Sequence, residues 1–234
     1  MSIAENLAEV RGRIADAARR AGRDVNEVTL VAVSKTFPAG RVREAYAAGQ
    51  SDFGENKVQE GLQKQSEVAD IPLRWHLIGH VQSNKAKKAA TGYTAIHSVD
   101  SLELMRRLDE AAAARTDRLD VLVQVDFAGE ATKFGAPPEE AVRLVDAALA
   151  ARALALKGLM LLPPWSEDPE RTRPWFARLR AFRDRLVENG APASALAQLS
   201  MGMSHDYEAA IEEGATIVRV GTAIFGRRPR PQDS

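Results

Sequence analysis

The strongest constraint on this chain is a rhythm. Short runs of apolar and β-branched residues recur roughly every 25 residues, each followed by a stretch with apolar residues at helical spacing. The runs are Thr29 to Lys35, Ser51 to Asn56, Trp75 to Gly79, Ala95 to Val99, Leu119 to Val125, Leu156 to Leu162, Gln198 to Ser200 and Thr216 to Val220. The intervening helices carry ordinary start and stop signals. Pro38 to Ala48 ends at Gly49, and the helix of Val58, Leu62 and Gln65 stops before Pro72. Gln82 to Ala90 is a basic helix, and Asp100 or Ser101 caps the helix of Leu102, Met105 and Leu108. Pro137-Pro138 opens a helix, Trp175 to Leu186 form another ending at Gly190, and Ala209 to Glu213 a third. Eight such units predict a single α/β domain over residues 1–234, a (β/α)8 TIM barrel rather than an open doubly wound sheet. No GxGxxG follows the first run, which weakens a dinucleotide-binding alternative.

An N-terminal helix with Ile3, Leu7, Val10 and Ile14 on one face precedes the first run and closes at Gly22. The tail from Arg227 onward is expected to fray. Zero formal net charge argues against a general nucleic-acid binder, and the lack of cysteine removes disulfides and thiolate chemistry. No secretory signal and no apolar run near the ~20 residues needed to cross a bilayer is present, so a soluble cytoplasmic protein is expected.

Functional groups of such barrels gather at the carboxyl ends of the strands. Lys35 stands where Thr36-Phe37-Pro38 breaks the first strand. Desolvation there would lower its pKa from ~10.4 and make it an amine nucleophile toward a carbonyl; the alternative is a lysine snorkelling from a strand end. Asn56, His80, Met160, Ser200 and Arg219 sit at or just past the ends of other strands. Arg219 interrupts an apolar strand, so it must meet a carboxylate, a phosphate or a ring nitrogen. Gly221-Thr222 opens a short helix, and Ser200-Met201-Gly202 adds backbone and hydroxyl donors on the neighbouring strand; together they predict a phosphate site. An amine, a phosphate cradle and an isolated arginine point to pyridoxal 5′-phosphate (PLP). Arginine does not readily give up a proton, so a ring facing it stays neutral and is a weak electron sink.

The chain resembles the pyridoxal phosphate homeostasis protein family. The matching blocks are Val33-Ser34-Lys35-Thr36, Asp52-Phe53-Gly54-Glu55-Asn56 with Gln59-Glu60, and Trp75-His76-Leu77-Ile78-Gly79-His80 with Gln82-Ser83-Asn84-Lys85. Gly158-Leu159-Met160, Ser200 to Ser204 and Arg219 to Gly226 complete them. The resemblance implies the barrel of the alanine racemase N-terminal domain and PLP held as a covalent aldimine on Lys35. It also implies Arg219 at the ring nitrogen, with Ser200, Gly202, Gly221 and Thr222 around the phosphate. The departures lie in the helices and in the loop Pro163 to Pro174.

Other residues are read more plainly. His76 lies off the site-facing parity of its strand as a packed core histidine, whereas His80, past Gly79, is in reach of the cofactor. Four scattered histidines do not make a metal site. Lys85, Lys87 and Lys88 form a solvated helix face, and Lys133 is a surface lysine in a loop. Three functions compete. A carrier that holds PLP and supplies PLP-dependent apo-enzymes is expected, as a monomer without nucleic-acid or membrane partners. A racemase needs bases on both faces of its substrate. Tyr46, Tyr93 and Tyr207 read as helix or surface residues, and Ala223 to Ser234 are too few to build a second domain. A Schiff-base aldolase needs a carboxylate relay, for which Glu55 is the nearby candidate.

Overall fold

The computed structural model describes residues 1–129 and 134–227. Eight parallel strands close a barrel in chain order. They are β1 Thr29–Val33, β2 Asp52–Glu55, β3 Arg74–Leu77, β4 Ala95–Val99, β5 Leu119–Val125, β6 Leu154–Leu161, β7 Gln198–Ser200 and β8 Ile217–Val220. The seam pairs Thr29 with Ile217 and Ala32 with Val220. The helices are α1 Ile3–Arg20, α2 Ala39–Ala47, α3 Val58–Glu67, α4 Ala86–Gly92, α5 Leu102–Ala112, α6 Pro138–Ala150, α7 Arg173–Glu188, α8 Tyr207–Glu212 and α9 Thr222–Phe225. The expected barrel is the observed one, and none of the described helices is long and apolar enough to cross a membrane.

Local chemistry explains most of the boundaries. The Ser2 hydroxyl accepts from Glu5 N and the Glu5 carboxylate accepts from Ser2 N, a reciprocal cap that starts α1. Ser101 rather than Asp100 caps α5, accepting from Leu104 N at 3.3 Å. β6 begins two residues earlier than expected, because Leu154 pairs with Leu119 at the foot of β5. The basic segment divides into a 3-10 turn, Ser83–Lys85, and α4. β1 stops at Val33, so Lys35 lies in the turn beyond it. The expected loop Pro163 to Pro174 holds a 3-10 turn, Pro169–Thr172, and α7 starts inside it at Arg173. Lys133 and most of the tail from Arg227 lie outside the described residues.

Strand alternation divides the core in two. Leu30, Ala32, Val121, Val123, Leu159, Val218 and Val220 pack with the helices, whereas Val31, Leu122, Met160 and Ile217 form a separate cluster inside the barrel. Tyr93 and Tyr207, expected in helices or at the surface, are buried in the outer layer, where their rings fill space between helices and barrel.

Two glycines test the packing. A Cβ on Gly158 would lie 1.8 Å from the Gln198 carbonyl oxygen, where β6 pairs with β7. Gly158→Ala should therefore cost about 3 kcal/mol or more in urea unfolding, because backbone must move. Gly12 in α1 has nothing within 4 Å of the added atom, and Gly12→Ala should stabilise by ~0.5–1 kcal/mol. Equal effects of opposite expectation at the two positions would contradict this packing.

Candidate functional site

The lysine turn is held from outside the barrel. Val31 and Val33 face inward, and Lys35 continues that parity. Ser34, of the opposite parity, donates its hydroxyl to Glu55 Oε1 at 2.6 Å. From α3, the Lys64 ammonium reaches both Ser34 O at 2.8 Å and Glu55 Oε1 at 2.5 Å. Thr36 N donates to Glu60 Oε1 at 2.9 Å while its backbone adopts φ +69°, the left-handed region that a β-branched residue enters only when the surroundings hold it there. Phe37 packs against Phe225 with ring centroids 5.3 Å apart, which ties the turn to α9. Glu55 is fully buried, and burial pushes its carboxyl up in spite of Lys64.

A second network lies inside the barrel. Arg219, 3% exposed, donates from Nη1 to Ser200 Oγ at 2.6 Å and from Nη2 to Leu161 O at 2.9 Å. Ser200 Oγ lies 2.9 Å from His97 Nδ1, His97 Nε2 lies 2.9 Å from His76 Nδ1, and His76 Nε2 lies 3.0 Å from Asp52 Oδ1. His76 is thus a buried histidine as expected, but its ring faces into the barrel, on the same parity as Ile78. The inward parity of β3 is one residue out of step with the expected one. Burial pushes Arg219 down to about 10, so it remains charged at neutral pH, and Asp206 favours that charge. Burial, with His76 and Arg219 adding to it, holds His97 well below the ordinary imidazole value. Burial also raises Asp52, but hydrogen bonds from His76 and Arg74 outweigh it and hold that carboxyl well below the usual range.

Above Arg219 a cavity of about 410 Å³ opens at the carboxyl ends of the strands. Lys35, Asn56, Arg219, Gly221 and Thr222 line it together, with Phe37, Ile78, Trp165, Met203, Ser204 and His205 around them. Among the described residues the lining includes Lys35 and Arg219 and no carboxylate. Asn56 Oδ1 is buried without a hydrogen-bond partner, and Ser204 Oγ accepts from Gly221 N at 3.1 Å. Not every expected residue arrives. The Ser200 hydroxyl is turned into the barrel and engaged by Arg219 and His97, and Met160 packs beneath with Val31, Leu122 and Ile217. Met201 points into the outer core, and Gly202, at φ +92°, shapes the turn that carries Met203 and Ser204 to the mouth. His80 Nδ1 pairs with Asp100 at 3.0 Å and the ring stacks on Phe134 with centroids 3.8 Å apart, and His80 is not among the residues that line the cavity. Glu55 lies outside the barrel wall.

Sequence reasoning missed His205 and Trp165 at the mouth, and His97 within the barrel. His97 left a signal, since a histidine between Ile96 and Ser98 is a polar residue in a strand buried along its whole length.

The lysine turn yields a test. Lys64→Met leaves a buried carboxylate unpaired and should destabilise the protein by about 3–5 kcal/mol at pH 7. Glu55 then has a folded pKa above its unfolded value of about 4.3, so the loss should grow as pH rises through the folded pKa and shrink below the unfolded one. Adding Glu55→Leu removes the stranded charge and should restore most of the stability. Denaturation at several pH values measures this, and a pH-independent loss that the double variant keeps would refute the ion pair.

Residues 6–229 match the family model for the alanine racemase N-terminal domain. A pyridoxal phosphate homeostasis protein of Pseudomonas aeruginosa is 49% identical over 227 residues, covering 97% of this chain and 96% of the relative. The structure of PipY from Synechococcus elongatus PCC7942 with PLP bound superposes with a TM-score of 0.85 at 40% identity, covering 96% of this chain and 100% of PipY. Alanine racemase of Clostridium difficile 630 shares the fold, with a TM-score of 0.72 at 18% identity over 98% of this chain and 58% of the racemase. On the strength of the family match and the near full-length relatives, this chain belongs to the pyridoxal phosphate homeostasis proteins, built on the alanine racemase N-terminal-domain barrel.

Proposed function

We propose that the cavity binds PLP, that Lys35 is its covalent attachment point, and that the chain holds and supplies the cofactor rather than catalysing with it. The observation that carries this reading is the lining itself: an amine on the inward parity of β1, a buried guanidinium and two hydroxyls from Ser204 and Thr222. Such a lining suits a ligand that joins an aldehyde to a phosphate dianion. The volume is adequate for a small cofactor, and the unpartnered Asn56 Oδ1 supplies an acceptor at its wall. Ser204, Gly221 and Thr222 are the residues best placed to hold the phosphate. Gly202 supports them through its turn, and Ser200 through Arg219, whose side chain it engages. The PLP-bound PipY structure and the names of the relatives agree with this reading.

Bound PLP would supply an electrophilic aldehyde and a conjugated ring. What these residues do with it favours storage. Arg219 keeps its own proton at neutral pH and donates hydrogen bonds, so it orients the ring without protonating it. Among the described residues lining the cavity there is no tyrosine and no carboxylate to act as a base opposite Lys35. An aldolase is disfavoured for the same reason, since Glu55 is engaged by Lys64 and Ser34 on the far side of the wall. The recipients would be PLP-dependent apo-enzymes in the cytoplasm, supplied by a monomer.

Attachment is tested by borohydride reduction of the PLP-loaded protein followed by peptide mapping. The label should fall on Lys35 and vanish in Lys35→Ala, and pyridoxal without its phosphate should load far less. A label mainly on Lys64 or Lys85 would move the site. Storage is tested by incubating the loaded protein with common L-amino acids in deuterated water. Exchange at Cα should not exceed that with free PLP, while an apo-enzyme acceptor should gain activity. Rapid, stereoselective exchange on any of them would favour the racemase reading, which the shared barrel fold keeps in play.

A further inference from the structure

The interior network has one feature that the cavity alone does not require: one set of tautomers, each histidine protonated on Nε2 alone, satisfies it from end to end. Arg219 can only donate, so Ser200 Oγ accepts from it and is left with one hydroxyl proton to give. At the other end Asp52, a carboxylate, can only accept, so His76 Nε2 carries a proton. An imidazole with one proton on Nε2 has an accepting Nδ1. In that tautomer His76 Nδ1 receives from His97 Nε2, and His97 Nδ1 from the Ser200 hydroxyl. The Ser200 end is compatible with this assignment, its oxygen accepting from Arg219 and its proton going to His97. All four residues are at most 8% exposed, so water does not compete for these bonds. The chain runs from the residue that floors the cavity to Asp52 at the start of β2, where Arg74 binds the same carboxylate at 2.5 Å.

We propose that Asp52, His76, His97 and Ser200 are positioning residues for Arg219, a one-way relay across the barrel that locks the plane of the guanidinium presented to the cavity. A guanidinium held only by Leu161 O could turn its plane about the Cδ–Nε bond and exchange its two Nη nitrogens by a flip about Cζ–Nε. The bond to Ser200 prevents this, and the Ser200 oxygen is itself oriented because its proton is committed to His97. Asp52 fixes the tautomers of both histidines from the opposite face. Its consequence for cofactor binding rests on the PLP reading above, whereas the relay itself does not.

The test is long-range 1H–15N NMR of the histidine rings and 15N spectra of the arginine side chains, on the full chain without PLP. Wild type should show His76 and His97 each protonated on Nε2 alone, with the two Nη nitrogens of Arg219 resolved. Asp52→Asn keeps an acceptor for His76, and Arg74, with a side chain 60% exposed, is able to swing away from the new amide. That variant should retain both signatures, while Asp52→Leu should mix the tautomers. Ser200→Ala should merge the Arg219 Nη signals yet leave both tautomers in place, and it decides the matter if Asp52→Leu does not fold. A proton on Nδ1 of either histidine in wild type, or resolved Nη signals in Ser200→Ala, would overturn the proposal. So would identical tautomers in the two Asp52 variants, the result expected if Asp52 served only to bind Arg74. With PLP added, Ser200→Ala should bind about tenfold more weakly while the reduced label stays on Lys35. Wild type that takes up no PLP would remove the cofactor reading and leave the NMR outcome to judge the relay.

Discussion

A charged guanidinium inside a parallel barrel dictates much of what surrounds it. Removing such a group from water costs several kcal/mol unless its donors find acceptors. The barrel interior could have been filled with branched aliphatic side chains, as Val31, Leu122, Met160 and Ile217 fill one part of it. Instead Arg219 stands among a serine and two histidines whose bonds lead to a carboxylate. The interior is therefore half apolar support and half polar scaffold, and the scaffold ends at the residue flooring the cavity.

The lysine is controlled by a different set of groups on the other side of the sheet. Glu55 and Lys64 form a buried ion pair between β2 and α3, and that pair grips the backbone and side chain of Ser34. Strand alternation makes the division possible, since Ser34 and Lys35 necessarily point to opposite faces. Lys35 and Arg219 are thus fixed independently, one by the helical layer and one by the barrel interior. A substitution in either layer can disturb one without the other.

The architecture was legible in the sequence because hydrophobic periodicity and turn residues report directly on strands and helices. β4, β5 and β7 appear with the expected limits; the other strands differ by one or two residues at an end, while the basic helix expected from Gln82 starts as α4 only at Ala86, after a 3-10 turn. The cavity was legible through residues that violate the pattern: Lys35 at a strand end, Arg219 within a strand, and Gly221 before a short helix. What could not be read was side-chain direction at bends. Parity at His76 could not be read because a four-residue strand offers too few alternations to fix its inward face, and the inward set here is His76 with Ile78. Ser200 was expected at the phosphate because its neighbours turn toward the mouth, yet it is the last residue of β7 and still obeys the inward parity. The mouth residues His205 and Trp165 belong to loops, where no periodicity exists to place them.

Trp165 gives the fold an optical property. It is 69% exposed and borders the cavity, while Trp75 is buried in the outer core and Trp175 packs partly against it. An indole in water emits at longer wavelength than one in an apolar layer, so the red edge of the fluorescence belongs mainly to Trp165. Filling or emptying the cavity changes the surroundings of that indole first. The protein therefore carries its own occupancy gauge, readable without a label, while the emission of Trp75 serves as the internal reference.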